Sequence, residues 1–483
     1  MGNLIRKLRG NDNKGSDPQE ARLEQLDDLR RSNHAEERRE AVLKLGALLV
    51  QQRSFDAAER VYREALAQDS SAWSYVPGPL GLLLEDQERY EEALALYHEA
   101  ITAGNEWAHY ALGHLLLYLG HNEEAASHLR RCLEANTVPR VRTVQRLLGR
   151  AISHTEPVAA EAIFRAVIEG ARDEDAAWAA SDLASLLARQ DRNEEAEAAD
   201  RLALELGVAD PVPTMTGLGV LLLGRGEIDE AAALLERVLQ DGDPRCLSEA
   251  ARALGRCAWH TGDLRAAERH LRTATSVGEP DERDGALNDL GELLFSQDRL
   301  AEAREVFCAV GSSSVEERFR ADAGLGDLLC RLGRFEEAED AYRRALGGPV
   351  ERRAAVGVAL AHLLIDQARL EQAEDVLLDV LPLAESADDR SNALGLLTAL
   401  AIVRNDVENA ERLAHQTIAA GIPHNAAAAW AGLASLYELL KRPDDAEVAR
   451  QEAEREEPGI VAEFRAREER GEGWPSDLPP RDW

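Results

Sequence analysis

Lysine is nearly missing from this chain: Lys7, Lys14, Lys44 and Lys441 stand alone among 56 basic residues, and the rest are arginine. With the abundance of alanine, this is the codon bias expected of a high-GC, bacterial genome. Aromatic residues are only 5% of the chain, too few for a β-sandwich and in keeping with amphipathic helices. The five cysteines, Cys132, Cys246, Cys257, Cys308 and Cys330, are odd in number, widely spaced and without a CxxC pair. That excludes a disulfide framework and a cysteine-based zinc site, and it points to buried thiols in a reducing cytoplasm. No apolar run approaches the ~20 residues that span a bilayer. The opening MGNLIRKLRG lacks the apolar core of a signal peptide, and Arg6 stands where a myristoylation signal would carry Ser or Thr. Residues 1–17 are therefore expected to be a disordered basic arm.

Catalytic signatures are missing as well. The chain has no GxxxxGK(S/T), no HExxH and no GxSxG. The glycines of GLGVLLLGRGE, from Gly217, suit packing and a turn; no strand precedes them and no lysine follows. His109 and His114 are five apart, off-face for a shared metal. No enzyme, metal or cofactor is expected. Positive charge is in deficit too. With 89 acidic residues the net charge is −33, which repels nucleic acid and anionic membranes at long range.

A repeat fills the space these absences leave. Leu45–Leu66 reads LGALLVQQRSFDAAERVYREAL, and Leu325–Leu346 reads LGDLLCRLGRFEEAEDAYRRAL. Leu112–Leu133 and Leu218–Leu239 keep the same frame. Leu-Gly opens an apolar stretch, a polar turn follows, and an alanine comes twelve residues after the glycine. That alanine recurs from Ala58 to Ala446, twelve times with a mean spacing near 35 residues. Antiparallel helices about 8–10 Å apart need small side chains where they approach most closely. The Gly is expected to face this Ala, and a large residue four further on (Tyr62, Tyr97, Phe164, Phe307, Tyr342) to fill the groove between hairpins. Gly120, Gly226, Gly262 and Gly333 stand where a left-handed cap belongs. The expected fold is an all-α solenoid, a right-handed superhelix of about twelve antiparallel helix hairpins.

Three irregularities stand out. Asp200, Ala414 and Arg450 replace the large second-helix residue, which predicts looser packing there. The His154–Pro157 turn is one residue short. Pro77 and Pro79 predict a late helix start and a loose joint near residues 68–80. The expected organisation is a capping helix over 18–35, repeats over 36–457, a second capping helix over 458–470 bearing Ile460, Val461 and Phe464, and a Pro/Trp-rich tail over 471–483 with Trp474 and Trp483.

This frame resembles the tetratricopeptide repeat family, with Leu-Gly in the first helix and two Ala positions plus an aromatic in the second. The resemblance implies a protein-interaction scaffold or adaptor whose concave groove is lined by first-helix residues flanking the small position. Carried over, those positions are Trp107, Tyr110 and His114, then Arg146 and Arg150, then Trp178. Arg252, Arg256 and Trp259 follow on one helix face, with Asn288 and Arg320 continuing the line. An arginine-bearing groove flanked by tryptophan suits a protein or peptide partner with acidic groups or a free carboxylate. The Lys/Asn carboxylate clamp of some members is not reproduced. The alternative is a ligand- or peptide-responsive regulator whose solenoid changes shape on binding.

Overall fold

A computed structural model describes residues 18–32, 34–135, 140–311, 314–463 and 466. The basic arm, Phe464 and the tail lie outside the described residues. Among the described residues there is no strand, and no helix is long and apolar enough to cross a membrane. Among the described residues, the helix Pro18–Leu29 comes first, and twenty-four α-helices follow from Ala35–Gln51 to Pro443–Glu456, alternating as the first and second helices of twelve hairpins. The chain forms two compact units, Met1–Gly217 and Leu218–Trp483.

In some hairpins the first helix is apolar over most of its surface and the second is amphipathic, whereas the first helices Val141–Ile152 and Pro244–His260 are themselves amphipathic. The helix Arg353–Asp366 buries Ala354, Val356, Leu360 and Leu364 on several sides, whereas its partner Leu370–Val380 buries Ala373, Leu377 and Val380. The first helix is sandwiched between its own partner and the adjacent hairpins; the second keeps one face in water.

The expected glycine-to-alanine facing is seen at the backbone, where a Cβ on Gly113 or Gly255 would lie 3.5 or 3.3 Å from Ala125 O or Ala267 O, but a large second-helix side chain comes closer still. A Cβ placed on Gly46 would fall 2.2 Å from the Tyr62 ring; on Gly81, 2.1 Å from the Tyr97 hydroxyl; and on Gly326, 2.4 Å from Tyr342. The glycine is covered by the large second-helix side chain, four residues beyond the repeating alanine. In hairpins lacking the aromatic, Leu129, Leu235 and Leu271 cover Gly113, Gly219 and Gly255. The large residue also reaches the next hairpin, since Phe307 lies against both Gly291 and Gly324.

Eleven of the twelve turns within hairpins hold a residue with positive φ. Gly120, Gly226, Gly262 and Gly333 are four, as their sequence suggests; Arg53, Glu88, Asp191, Asp298, Ala368, Asn405 and Lys441 are the others. The next amide donates back into the first helix, as Arg89 N to Leu84 O and Arg334 N to Leu329 O, both at 2.9 Å. This is the closure of a left-handed helix cap. The turn without such a residue is the short one before Pro157.

The joint near Pro77 is packed, contrary to expectation. A 3₁₀ turn at Ser70–Ser74 buries Ala72, Val76 is fully buried, and Asn105 Nδ2 donates to Trp73 O at 2.8 Å. Proline then opens the helix Pro77–Glu85 at a position where its missing N–H leaves nothing unpaired. Asp200 and Ala414 are buried, and Arg450 pairs with Glu438 and Glu447. At the ends, Arg30 of the first helix pairs with Glu64 at 2.7 Å, and Ile460 packs on Ala427, Ala431 and Ala453.

Candidate functional site

In the first unit, the helix Ala108–Tyr118 and the residue before it carry a line of rings. Trp107 and Tyr110 have centroids 5.8 Å apart, and Tyr110 and His114 are at 6.4 Å. The next first helix, Val141–Ile152, brings Arg146 and Arg150 one turn apart, and Glu174–Ala188 brings Trp178. Arg146 lies 5.7 Å from the Trp178 ring centroid and donates to Asp182 at 2.9 Å. Arg150 reaches the other oxygen of Asp182 at 3.5 Å and stays half exposed. Of the six residues expected here from the sequence, five lie on three consecutive first helices and Trp107 immediately precedes the first of them. Burial raises the Asp182 carboxyl pKa against the pull of both arginines. Desolvation lowers the His114 pKa, and Arg150 and Arg146 lower it further. Two guanidiniums share one carboxylate, so this face keeps capacity for an anion.

The second unit treats its arginines differently. Arg252 Nε donates to Asp289 at 2.7 Å, and Arg320 donates to Asp289 at 2.9 Å, Glu292 at 2.7 Å and Glu317 at 3.3 Å. Burial works to raise the Asp289 pKa, but Arg252 and Arg320 overcome it and hold it below the ordinary range. Asn288 is fully buried; its Nδ2 donates to the backbone oxygen of Glu317 at 2.8 Å and to its carboxylate at 2.7 Å. Of the expected residues, Arg252, Asn288 and Arg320 are therefore tied into an internal network. Arg256, exposed, and Trp259, half-buried, remain open to a groove of about 1390 Å³.

Two features escaped the sequence reading. The first is a ladder of ion pairs from the turn residue before each of five second helices to the second helix of the preceding hairpin. Arg89 reaches Glu59, Arg192 reaches Glu161, Arg299 reaches Glu268, Arg369 reaches Glu339 and Arg442 reaches Glu411, all at 2.6–2.9 Å. Each arginine stands 30 or 31 residues after its acid, which was the available signal. The second is a contact between His109 and His128, Nδ1 to Nδ1 at 2.8 Å, with the His98 ring 6.2 Å from that of His128. Desolvation lowers the pKa of both His109 and His128. Among the described residues, no three His, Cys, Asp or Glu side chains are placed to hold a metal ion.

The tetratricopeptide repeat description matches residues 84–148 and, again, 16–74, 216–275, 261–314 and 309–356. No curated protein matches in sequence. Among solved structures, the chain is similar to the Cut9–Hcn1 hetero-tetramer of the APC/C, at 14% identity over 89% of each chain with a TM-score of 0.44. It is also similar to the apo form of the quorum sensor NprR from B. thuringiensis, at 15% identity over 60% of this chain and 92% of that one, with a TM-score of 0.49. Yeast Tom70 matches at 13% identity over 90% of this chain and 100% of that one, with a TM-score of 0.41.

Proposed function

The chain belongs to the tetratricopeptide repeat family, and from that premise we propose that it is a protein-interaction scaffold. Its first-unit face, from Trp107 to Trp178, holds a partner segment bearing an acidic side chain or a free carboxylate. The observation that carries this reading is the sharing of one carboxylate, Asp182, by Arg146 and Arg150 beneath a border of aromatic rings. Arg150 has donors to offer without breaking the internal pair. Trp107, Tyr110 and Trp178 supply broad apolar contact with little conformational entropy to lose. The function proposed is holding, not catalysis.

Affinity capture from native cytosol tests it. Wild-type protein and an Arg150→Glu variant are compared by quantitative mass spectrometry. The partner set is expected to fall about tenfold or more in the variant, in line with losing a charge-assisted contact and adding a repulsion. Equal recovery of the same partners would overturn the assignment of this face. Arg150 is half exposed, so the variant should fold; circular dichroism checks that.

A further inference from the structure

The face proposed to hold a partner's carboxylate already contains one of its own. Asp182 accepts from Arg146 at 2.9 Å, and its other oxygen lies 3.5 Å from Arg150 Nε. From either guanidinium, this carboxylate stands where a partner's would go. It satisfies neither arginine in full. Arg146 Nε is buried without a hydrogen-bond partner among the described residues. Arg150 meets Asp182 only at a distance longer than a normal charge-assisted hydrogen bond, and it stays half exposed. The Trp178 ring, 5.7 Å from the Arg146 guanidinium carbon, gives that cation a second support when the carboxylate loses its charge.

Few other charges bear on this pair. The helix of Asp182, Glu174–Ala188, packs against Val141–Ile152, Pro157–Gly170 and Asn193–Glu205. Beyond burial, the charged groups among the described residues that act on Asp182 are Arg146 and Arg150, both from the first of these. The helix of His114, Ala108–Tyr118, packs against Pro77–Glu85, Tyr90–Thr102, Asn122–Glu134 and Val141–Ile152. Beyond burial, the charged groups that act on His114 are the same two, Arg150 and Arg146. Asp175, two turns before Asp182, accepts from Thr143 Oγ1 at 2.9 Å and bears on Tyr110 instead, as do Arg140 and Arg146. A proton on Asp182 or on His114 therefore acts on one and the same pair of guanidiniums.

We propose that Asp182 is a built-in competitor of the partner's carboxylate, and that proton uptake by Asp182 and His114 hands Arg146 and Arg150 over to the partner. Near neutral pH the partner takes only the donors that Asp182 leaves over, and it meets a like charge beside them. Burial neutralises Asp182 at a higher pH than an exposed carboxyl, against the pull of both arginines, so the partner's carboxylate is still ionised when Asp182 is not. His114 gains its charge as pH falls below the ordinary 6.5 and adds a third cation. Acidification therefore tightens holding, and by linkage the bound partner draws protons onto the face. Removing one like charge about 6 Å away from a half-wet site changes an affinity roughly tenfold. The inference rests on the scaffold reading of this face and adds its regulation.

Isothermal titration calorimetry at pH 7.5 and pH 5.5 and fixed ionic strength tests it. The probes are a blocked nine-residue Ala/Ser peptide with one central Glu and its Gln counterpart. Wild type is expected to bind the Glu peptide at least fivefold more tightly at pH 5.5. Its binding heat at pH 6 should vary with the ionisation enthalpy of the buffer, the mark of proton uptake. Asp182→Asn should bind the Glu peptide at least threefold more tightly than wild type at pH 7.5, a gain from removing a side chain of the face. His114→Gln should lose part of the pH response, and the double variant all of it. Circular dichroism checks folding, and His114→Gln alone carries the test if Asp182→Asn does not fold. Weaker binding by folded Asp182→Asn, equal wild-type affinity at the two pH values, or a full pH response in His114→Gln would each overturn the proposal. So would failure of wild type to prefer the Glu peptide at either pH. Partner capture with Arg150→Glu is a separate measurement at one pH, so the scaffold reading stands or falls independently.

Discussion

Replacing Asp200 by leucine restores the large apolar side chain that the repeat carries at this point of most second helices. Asp200 is only 4% exposed, and its carboxylate lies 3.4 Å from where a Cβ on Gly217 would sit. Burial pushes its carboxyl from the ordinary 3.8 up to about 8. Between those values the fold keeps the proton and the unfolded chain gives it up. Stability is therefore complete below the unfolded value and falls as pH rises through the window. Each pH unit removes about 1.4 kcal/mol, so roughly 4 kcal/mol is lost by pH 7 and about 5–6 by the top of the window. Asp200→Leu removes this dependence, and Asp200→Asn removes it without added bulk. Urea unfolding at pH 5 and pH 8.5 measures the difference. Amide exchange over Asn193–Glu205 localises it, since repeat arrays open in segments. The variants should lose several kcal/mol less than wild type between the two pH values. An equal loss in all three proteins would refute the assignment of Asp200 as a carboxyl kept neutral by burial.

Gly326→Ala should destabilise by about 1–3 kcal/mol in urea unfolding, because the added Cβ falls 2.4 Å from the Tyr342 ring. Ala368→Gly should stabilise by about 0.5–1 kcal/mol, since Ala368 holds φ at +58° in its turn and glycine adopts that conformation without the Cβ clash. The His109–His128 pair predicts acid sensitivity. Both pKa values are lowered in the fold, so stability is complete above the ordinary 6.5 and falls as pH drops below it. His128→Gln should blunt that loss, read as amide exchange in Ala108–Tyr118 at pH 5 against pH 7.5.

The sequence made the repeat legible because packing two helices imposes a small residue, a cap and a large residue at fixed offsets. Gly46, Gly81 and Gly326 carry that geometry openly. It did not reveal which residue covers each glycine, since Ala58 and Tyr62 share one face of the second helix. Four of the left-handed turn residues were hidden because Arg53, Glu88, Ala368 and Lys441 give no sign of positive φ, whereas Asp191, Asp298 and Asn405 are types that adopt it more readily. In the first unit, the arginines and rings named from the sequence lie on or next to three consecutive first helices, because the repeat frame fixes which helix each residue joins. In the second unit, Arg252 and Arg320 looked like ligand-binding residues because Asp289 is 37 and 31 residues away along the chain. An arginine's availability depends on the neighbouring repeat, and no single repeat shows it.

Partners held by the first-helix faces should shield the backbone amides of those helices. Hydrogen–deuterium exchange of the protein alone and with a captured partner tests it most directly. New protection should concentrate in Ala108–Tyr118, Val141–Ile152 and Glu174–Ala188. Protection confined to the second helices, such as Asn122–Glu134 and Pro157–Gly170, with the first helices unchanged, would contradict it.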